Sequence, residues 1–144
     1  MNSALFEQRF RAAFERLKLG DLDGALTACE TLQAEAPNHP AVLQLQSALA
    51  LRSNAPKEAM KWAQRSLSLR PMHVPTLILA AHAARAIGAF TRAVGFLRDA
   101  TQHEPNLAAP AFLLCHMLLE LKDDALDAAL ADAHTRFPSD AADW

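Results

Sequence analysis

A 34-residue period runs through this chain and limits it more than any other feature. Pro37, Pro71 and Pro105 are spaced by 34 residues, and Pro138 follows after 33. Ala25, Ala59 and Ala93 keep the 34-residue step, as do Cys29, Ala63 and Leu97, and then Leu32, Ser66 and Ala100. Gly20, Asn54, Gly88 and Lys122 form a further column. A fixed period of this length marks one supersecondary unit stacked on copies of itself. A single unit cannot bury its apolar face alone, so its neighbours cover it.

Composition says that the unit is helical. Ala (31) and Leu (23) dominate the 144 residues, whereas Val and Ile together number five and Tyr is absent. That balance favours helices and starves strands, so the expected fold class is all-α. Each period reads as two helices. The first helices are expected over about 3–18, 40–53, 74–87 and 108–121, and the second over about 22–35, 56–69, 90–103 and 124–136. Gly20, Asn54 and Gly88 can take the left-handed conformation that ends a helix, and Pro56 suits the first turn of the next. Each second helix should stop one or two residues before its Pro. The fourth period has Lys122 at the turn and is one residue short, so Leu126, Leu130 and Ala133 are expected to take its packing places.

These columns resemble the tetratricopeptide repeat (TPR) family, a 34-residue helix–turn–helix with a small residue early in the second helix and a closing Pro. The resemblance covers essentially the whole chain. It is best from Leu77 to Pro105, where Ala81, Gly88, Phe90, Ala93, Leu97 and Ala100 are all in register. It implies a right-handed superhelical solenoid of antiparallel helix pairs, with about four repeats and eight helices. The expected organisation is a single domain over 1–144, with repeats at about 5–39, 40–73, 74–107 and 108–140. Ala25, Ala59 and Ala93 should lie where the two helices of a repeat cross closely. The first helices would line a concave groove and the second helices the convex back.

Few other functions survive the sequence. The four Gly form no phosphate-cradling loop, and no apolar run approaches the ~20 residues of a membrane span. Residues 1–20 carry Glu7, Arg9, Arg11, Glu15 and Arg16, which a signal peptide would not, so a cytoplasmic location is expected. Nine Lys/Arg against seven Asp/Glu in 1–72, then five against nine in 73–144, give no basic face for nucleic acid. Cys29 and Cys115 fall in columns of small residues and read as packed thiols. His39 and His73, and His82 and His116, recur by the repeat itself, with no third ligand evident for a metal. Asp21/Asp23 and Asp123/Asp124 read as helix caps, and Trp62 as a partly buried second-helix residue. No catalytic constellation, cofactor or metal site is expected.

The groove is then the informative surface. Its expected lining is Phe10 and Phe14, then Gln44, Leu45 and Ala48, then Ile78, Leu79 and His82, then Phe112, Leu113 and His116. TPR proteins that grip a C-terminal carboxylate do so with basic residues on their first helices, and no basic pair stands at the matching places here. The reading is a non-catalytic protein-interaction module that binds a partner helix or peptide in a largely apolar groove. Two alternatives are an N-terminal docking module of a larger sulfotransferase- or glycosyltransferase-like enzyme, and a secretion-type chaperone. After Pro138, Trp144 falls where the family would begin a new first helix. Residues 139–144 therefore read as the start of a fifth repeat or a cap. The matching expectation is a longer protein, or self-association that covers Leu118, Leu126 and Leu130 at this end.

Overall fold

The computed structural model describes residues 3–138, and within them it contains eight helices and no strand. They are α1 (Ser3–Lys18), α2 (Leu22–Glu35), α3 (Pro40–Arg52), α4 (Pro56–Leu69), α5 (Val74–Ala86), α6 (Phe90–His103), α7 (Ala108–Leu121) and α8 (Leu126–Arg136). They fall into two compact units, α1–α4 up to Pro71 and α5–α8 from Met72 onward. In the first unit α1 packs on α2 and on α3, and α3 packs on α4; in the second, α5 packs on α6, α6 on α7 and α7 on α8.

Every first helix ends in the same way. Gly20, Asn54, Gly88 and Lys122 have φ of 85°, 60°, 83° and 54°, all left-handed. Their N–H groups donate to the carbonyls of Leu17, Leu51, Arg85 and Leu119 at 3.0–3.2 Å. The next residues, Asp21, Ala55, Ala89 and Asp123, donate five positions back to Arg16, Ala50, Ala84 and Leu118 at 2.8–3.0 Å. This pair of bonds satisfies two carbonyls that a helix end would otherwise orphan, and it turns the chain back at once. Lys122 therefore makes the same turn as the glycines, although its Cβ disfavours that backbone by about 1–2 kcal/mol.

The residue missing from the fourth period is taken from the start of the second helix. Asp123 Oδ1 accepts the Ala125 N–H at 2.8 Å, closing a turn in which Asp124 and Ala125 sit outside the helix. So α8 starts at Leu126 rather than at Asp124, and it runs 11 residues against 14 for α2, α4 and α6. The other difference from expectation is small. Ser53 and Ile87 have ψ of 10° and 4°, already out of the helix, so α3 and α5 stop one residue early.

Second helices stop just before their prolines. Ala36, Arg70, Glu104 and Phe137 all have φ between −145° and −129° and ψ between 64° and 81°. The ring of the following Pro excludes helical geometry from each of them. Pro then restarts the chain at the head of α3, where Pro40 has no N–H to leave unsatisfied.

Between the paired helices lie the small columns. Ala13, Ser47, Ala81 and Cys115 on first helices, and Ala25, Ala59 and Ala93 on second helices, are all 0% exposed. In the first unit the Ser47 hydroxyl donates to the Ala59 carbonyl at 2.8 Å, so these two columns touch. Ser66 departs from the apolar residues of its column, and its buried hydroxyl donates to the Pro40 carbonyl at 2.9 Å. A buried hydroxyl with a partner costs little, which is why Ser is tolerated there. In the second unit Ala111, Phe112, Cys115 and Ala133 form a cluster, with Ala129, Leu126, Leu130 and Phe137 packed against it. Leu118, expected on an exposed stacking face, is instead fully buried. Trp144 and the rest of 139–144 lie outside the described residues.

Two sets of substitutions test this packing. Ala59→Leu and Ala93→Leu should each destabilise by about 1–3 kcal/mol through overpacking. Gly88→Ala should cost about 1 kcal/mol by backbone conformation alone, because no atom lies within 4 Å of the added Cβ. Lys122→Gly should add about 0.5–1 kcal/mol. Shifts of the urea midpoint, followed by far-ultraviolet circular dichroism, read all four, and opposite signs at Gly88 and Lys122 are the expected signature.

Candidate functional site

The expected groove residues divide sharply by burial. On α1, Phe10 and Phe14 are partly exposed and meet edge to face, with ring centroids 4.8 Å apart. On α3, Gln44 is partly exposed, but Leu45 is 0% and Ala48 6% exposed, so these two belong to the core. In the second unit Ile78, Leu79, His82 and Leu113 are partly exposed and His116 is exposed. Phe112 is 8% exposed and packs beside Phe137, with centroids 6.2 Å apart. Leu45, Ala48 and Phe112 are therefore corrected from groove lining to core. The physical reason is that α3 and α7 are apolar around most of their circumference, so burial reaches faces beyond the helix-pair seam.

Beside Phe10 the first unit holds a cleft of about 340 Å³, lined by Phe6, Glu7, Phe10 and Arg11 of α1, His39 and Ala41 at the start of α3, and Arg70 at the end of α4. That volume is near the lower end of ligand pockets, roughly 300–1,000 Å³, and suits one or two side chains. The sequence pattern gives Arg70 and Phe6 no role, and it singles out His39 only as a metal ligand lacking partners. Arg70 stands in the column of Ala36 and Glu104, and a basic residue before the closing Pro was the signal available.

His39 has a structural task in this cleft. Its ring nitrogen Nδ1 accepts the Ala41 N–H at 3.1 Å, capping α3, and the ring lies 4.4 Å from that of Phe6. Desolvation, followed by the Arg70 charge, holds its pKa below the ordinary 6.5. Accepting that N–H also requires an unprotonated Nδ1. His73, one period later, places Nδ1 2.8 Å from the Thr76 hydroxyl in the first turn of α5. The repeated His thus stands at a helix start in both units, but its ring caps the backbone only in the first.

Elsewhere the titratable groups serve packing and surface pairing. Cys29 and Cys115 are buried, and burial pushes the Cys29 thiol up to about 11 and raises that of Cys115. A thiol held protonated is a poor nucleophile. Desolvation, with a smaller effect of the Arg85 charge, lowers the pKa of His82. Arg85 of α5 grips Glu120 of α7 with two nitrogens, Nε to Oε2 at 3.0 Å and Nη2 to Oε1. That pairing raises Arg85 and lowers Glu120. Trp62 is partly buried, and Lys61 and Arg65 lie over its ring at 5.6 and 5.1 Å. Asp21 caps α2 by accepting the Gly24 N–H at 3.0 Å. Among the described residues no three His, Cys, Asp or Glu side chains come together in a metal-binding cluster. No helix among them is long and apolar enough to cross a membrane.

No family model matches the sequence, and no curated protein matches it. Solved structures do. The chain is similar to MamA (41–end) from Desulfovibrio magneticus RS-1, with a TM-score of 0.81 and 16% identity over 93% of this chain and 76% of that one. It is similar to a thermophilic TPR protein of Thermus thermophilus, with a TM-score of 0.78 and 20% identity over 90% and 73%. Its similarity to the APC/C hetero-tetramer Cut9-Hcn1 has a TM-score of 0.84 and 18% identity, over 96% of this chain but 28% of that one. At these identities the likeness establishes the fold, and the fold is the one that the 34-residue columns resemble.

The His39 cap gives a pH dependence with a definite sign. A histidine whose folded pKa lies below its unfolded value stabilises the fold above the unfolded value and loses that contribution as pH falls. Unfolding free energy should therefore decline from pH 7 toward pH 5. The decline should be shallower in His39→Asn, which can still cap α3 but cannot titrate. Urea unfolding at several pH values measures the difference, and parallel curves would remove His39 from the account.

Proposed function

We propose that this chain, with its TPR fold, is a non-catalytic interaction module that binds a partner helix or extended peptide. The binding surface in this reading is the exposed part of the first helices. It comprises Phe10, Phe14 and Gln44 in one unit, and Ile78, Leu79, His82, Leu113 and His116 in the other. The observation that carries it is the Phe10–Phe14 pair, two aromatic rings left partly open beside the 340 Å³ cleft while the helix seams are packed shut. Aromatic side chains with an open face and little rotamer freedom are what interfaces use as anchors. The small, partly concave site suits inserted side chains better than a small-molecule substrate, and both thiols are held in the unreactive form. One similar structure is a hetero-tetramer, a protein assembly, in agreement with this reading but silent on the partner. The four repeats read from the 34-residue step belong to the same proposal.

The test is capture of partners from the native organism by the tagged chain and by three variants. Phe10→Glu and Ile78→Glu should keep the helical signal and reduce the captured partner about tenfold or more, as expected for loss of an interface anchor. Leu26→Glu, at a second-helix position 49% exposed, should leave capture unchanged. Equal capture by all three variants would place binding elsewhere.

A further inference from the structure

Arg70 carries a charge that the free protein leaves uncompensated. It ends α4 and lines the cleft between the N-terminal half of α1 and the start of α3. Its Nε is covered from solvent and has no hydrogen-bond acceptor, and its Nη2 makes a long bond of 3.4 Å to the neutral Gln44 Oε1. Arg9, Arg85 and Arg136 each meet a carboxylate, whereas Arg70 meets none among the described residues. Desolvation lowers its pKa, as expected for a cation losing water without a counter-charge. Part of the cost of desolvating this guanidinium is therefore borne before anything binds. An arriving carboxylate meets a donor partly desolvated in advance, and it gains more there than at a solvated surface Arg.

The remaining charges count the ligand. Arg11 and Glu7 on α1 lie 3.9 Å apart and offset each other, so Arg70 leaves a net charge of one. Phe6, Phe10 and Ala41 supply the apolar part of the lining, and Phe14 meets Phe10 edge to face. We infer that the cleft is a subsite for one acidic side chain, an internal Asp or Glu of the bound segment flanked by apolar residues. Apolar lining beside the cation favours an internal residue, whose neighbours on both sides can meet it, whereas a chain end has a neighbour on one side only. This inference rests on the proposed interaction function and names the chemistry of its partner. The subsite is built from the end of a second helix, where a reading of first-helix residues does not look.

The experiment is selection from a random 12-residue peptide library displayed between two fixed flanks, against the full chain and against Arg70→Gln and Arg70→Lys. A second library presents the same peptides with free C-termini. Thermal unfolding confirms that each variant is folded, and Arg70→Lys keeps the charge should Gln disturb the cleft. The expected result is enrichment of Asp or Glu beside Phe, Leu or Ile in the flanked library, reduced about tenfold or more by Gln and less by Lys. Apolar peptides without an acidic residue, enriched equally on the full chain and on Arg70→Gln, would overturn the subsite and leave the interaction module standing. Enrichment confined to free C-termini would overturn the internal side chain as the source. No enrichment in either library would overturn the subsite and the interaction module together.

Discussion

The turn after each first helix sets the direction of everything that follows it. Two backbone bonds, one to the carbonyl three residues back and one to the carbonyl five back, require a left-handed residue between them. Once they form, the second helix has no freedom except to return along the first. Four turns in register, at 20, 54, 88 and 122, therefore give four like hairpins. The fourth holds even though Lys122 has a side chain, because its pair of carbonyls would otherwise go unsatisfied.

Return at close range demands small side chains along the seam, and the sequence supplies them at the same step. Ala13, Ser47, Ala81 and Cys115 on first helices and Ala25, Ala59 and Ala93 on second helices are all fully buried, and Ser47 meets Ala59 directly. Where a hydroxyl replaces a methyl, as at Ser47 and Ser66, it finds a carbonyl on the facing helix at 2.8 and 2.9 Å. These bonds add about 0.5–1.5 kcal/mol each at most, and their larger effect is to fix the register of α3 on α4. The Cys residues belong to this seam too. Their raised pKa values are a consequence of packing.

The turns between helices are legible because Pro excludes helix from the residue before it, while Gly and Asn tolerate the left-handed conformation. Six of the eight helices stop where the pattern says they should, and the start of α8 failed for a local reason. Deleting one residue can be absorbed anywhere between the turn and the next column, and the Asp123 side chain places it in the first turn. The binding surface was less legible. α4 and α6 alternate apolar and charged faces, so their buried sides can be read off, but α3, α5 and α7 are apolar nearly all round. In such helices periodicity carries no information on which face is open. Leu45, Ala48 and Phe112 were placed in the groove for that reason, and only packing separates them from Phe10 and Ile78. The cleft was out of reach for another reason. Phe6, His39 and Arg70 are 33 and 31 residues apart in sequence, and they meet only because a hairpin stacks on the helix before it.

Chemistry in this chain sits where the repeat breaks its own pattern. Residues that keep their column, such as Ala59 and Ala93, build the seam and say nothing of a ligand. Arg70 stands where Ala36 and Glu104 stand in neighbouring periods, so the helix pair does not need a cation there. Its Nε is covered from solvent and faces no acceptor, a cost to the free fold. His39 caps α3 through its ring, and this role explains its place without reference to a ligand. Arg70 has no such structural duty beyond a long bond to Gln44. The Arg70 side chain bears this cost without serving a turn or a cap, and it lines a cleft beside the Phe10–Phe14 pair of α1.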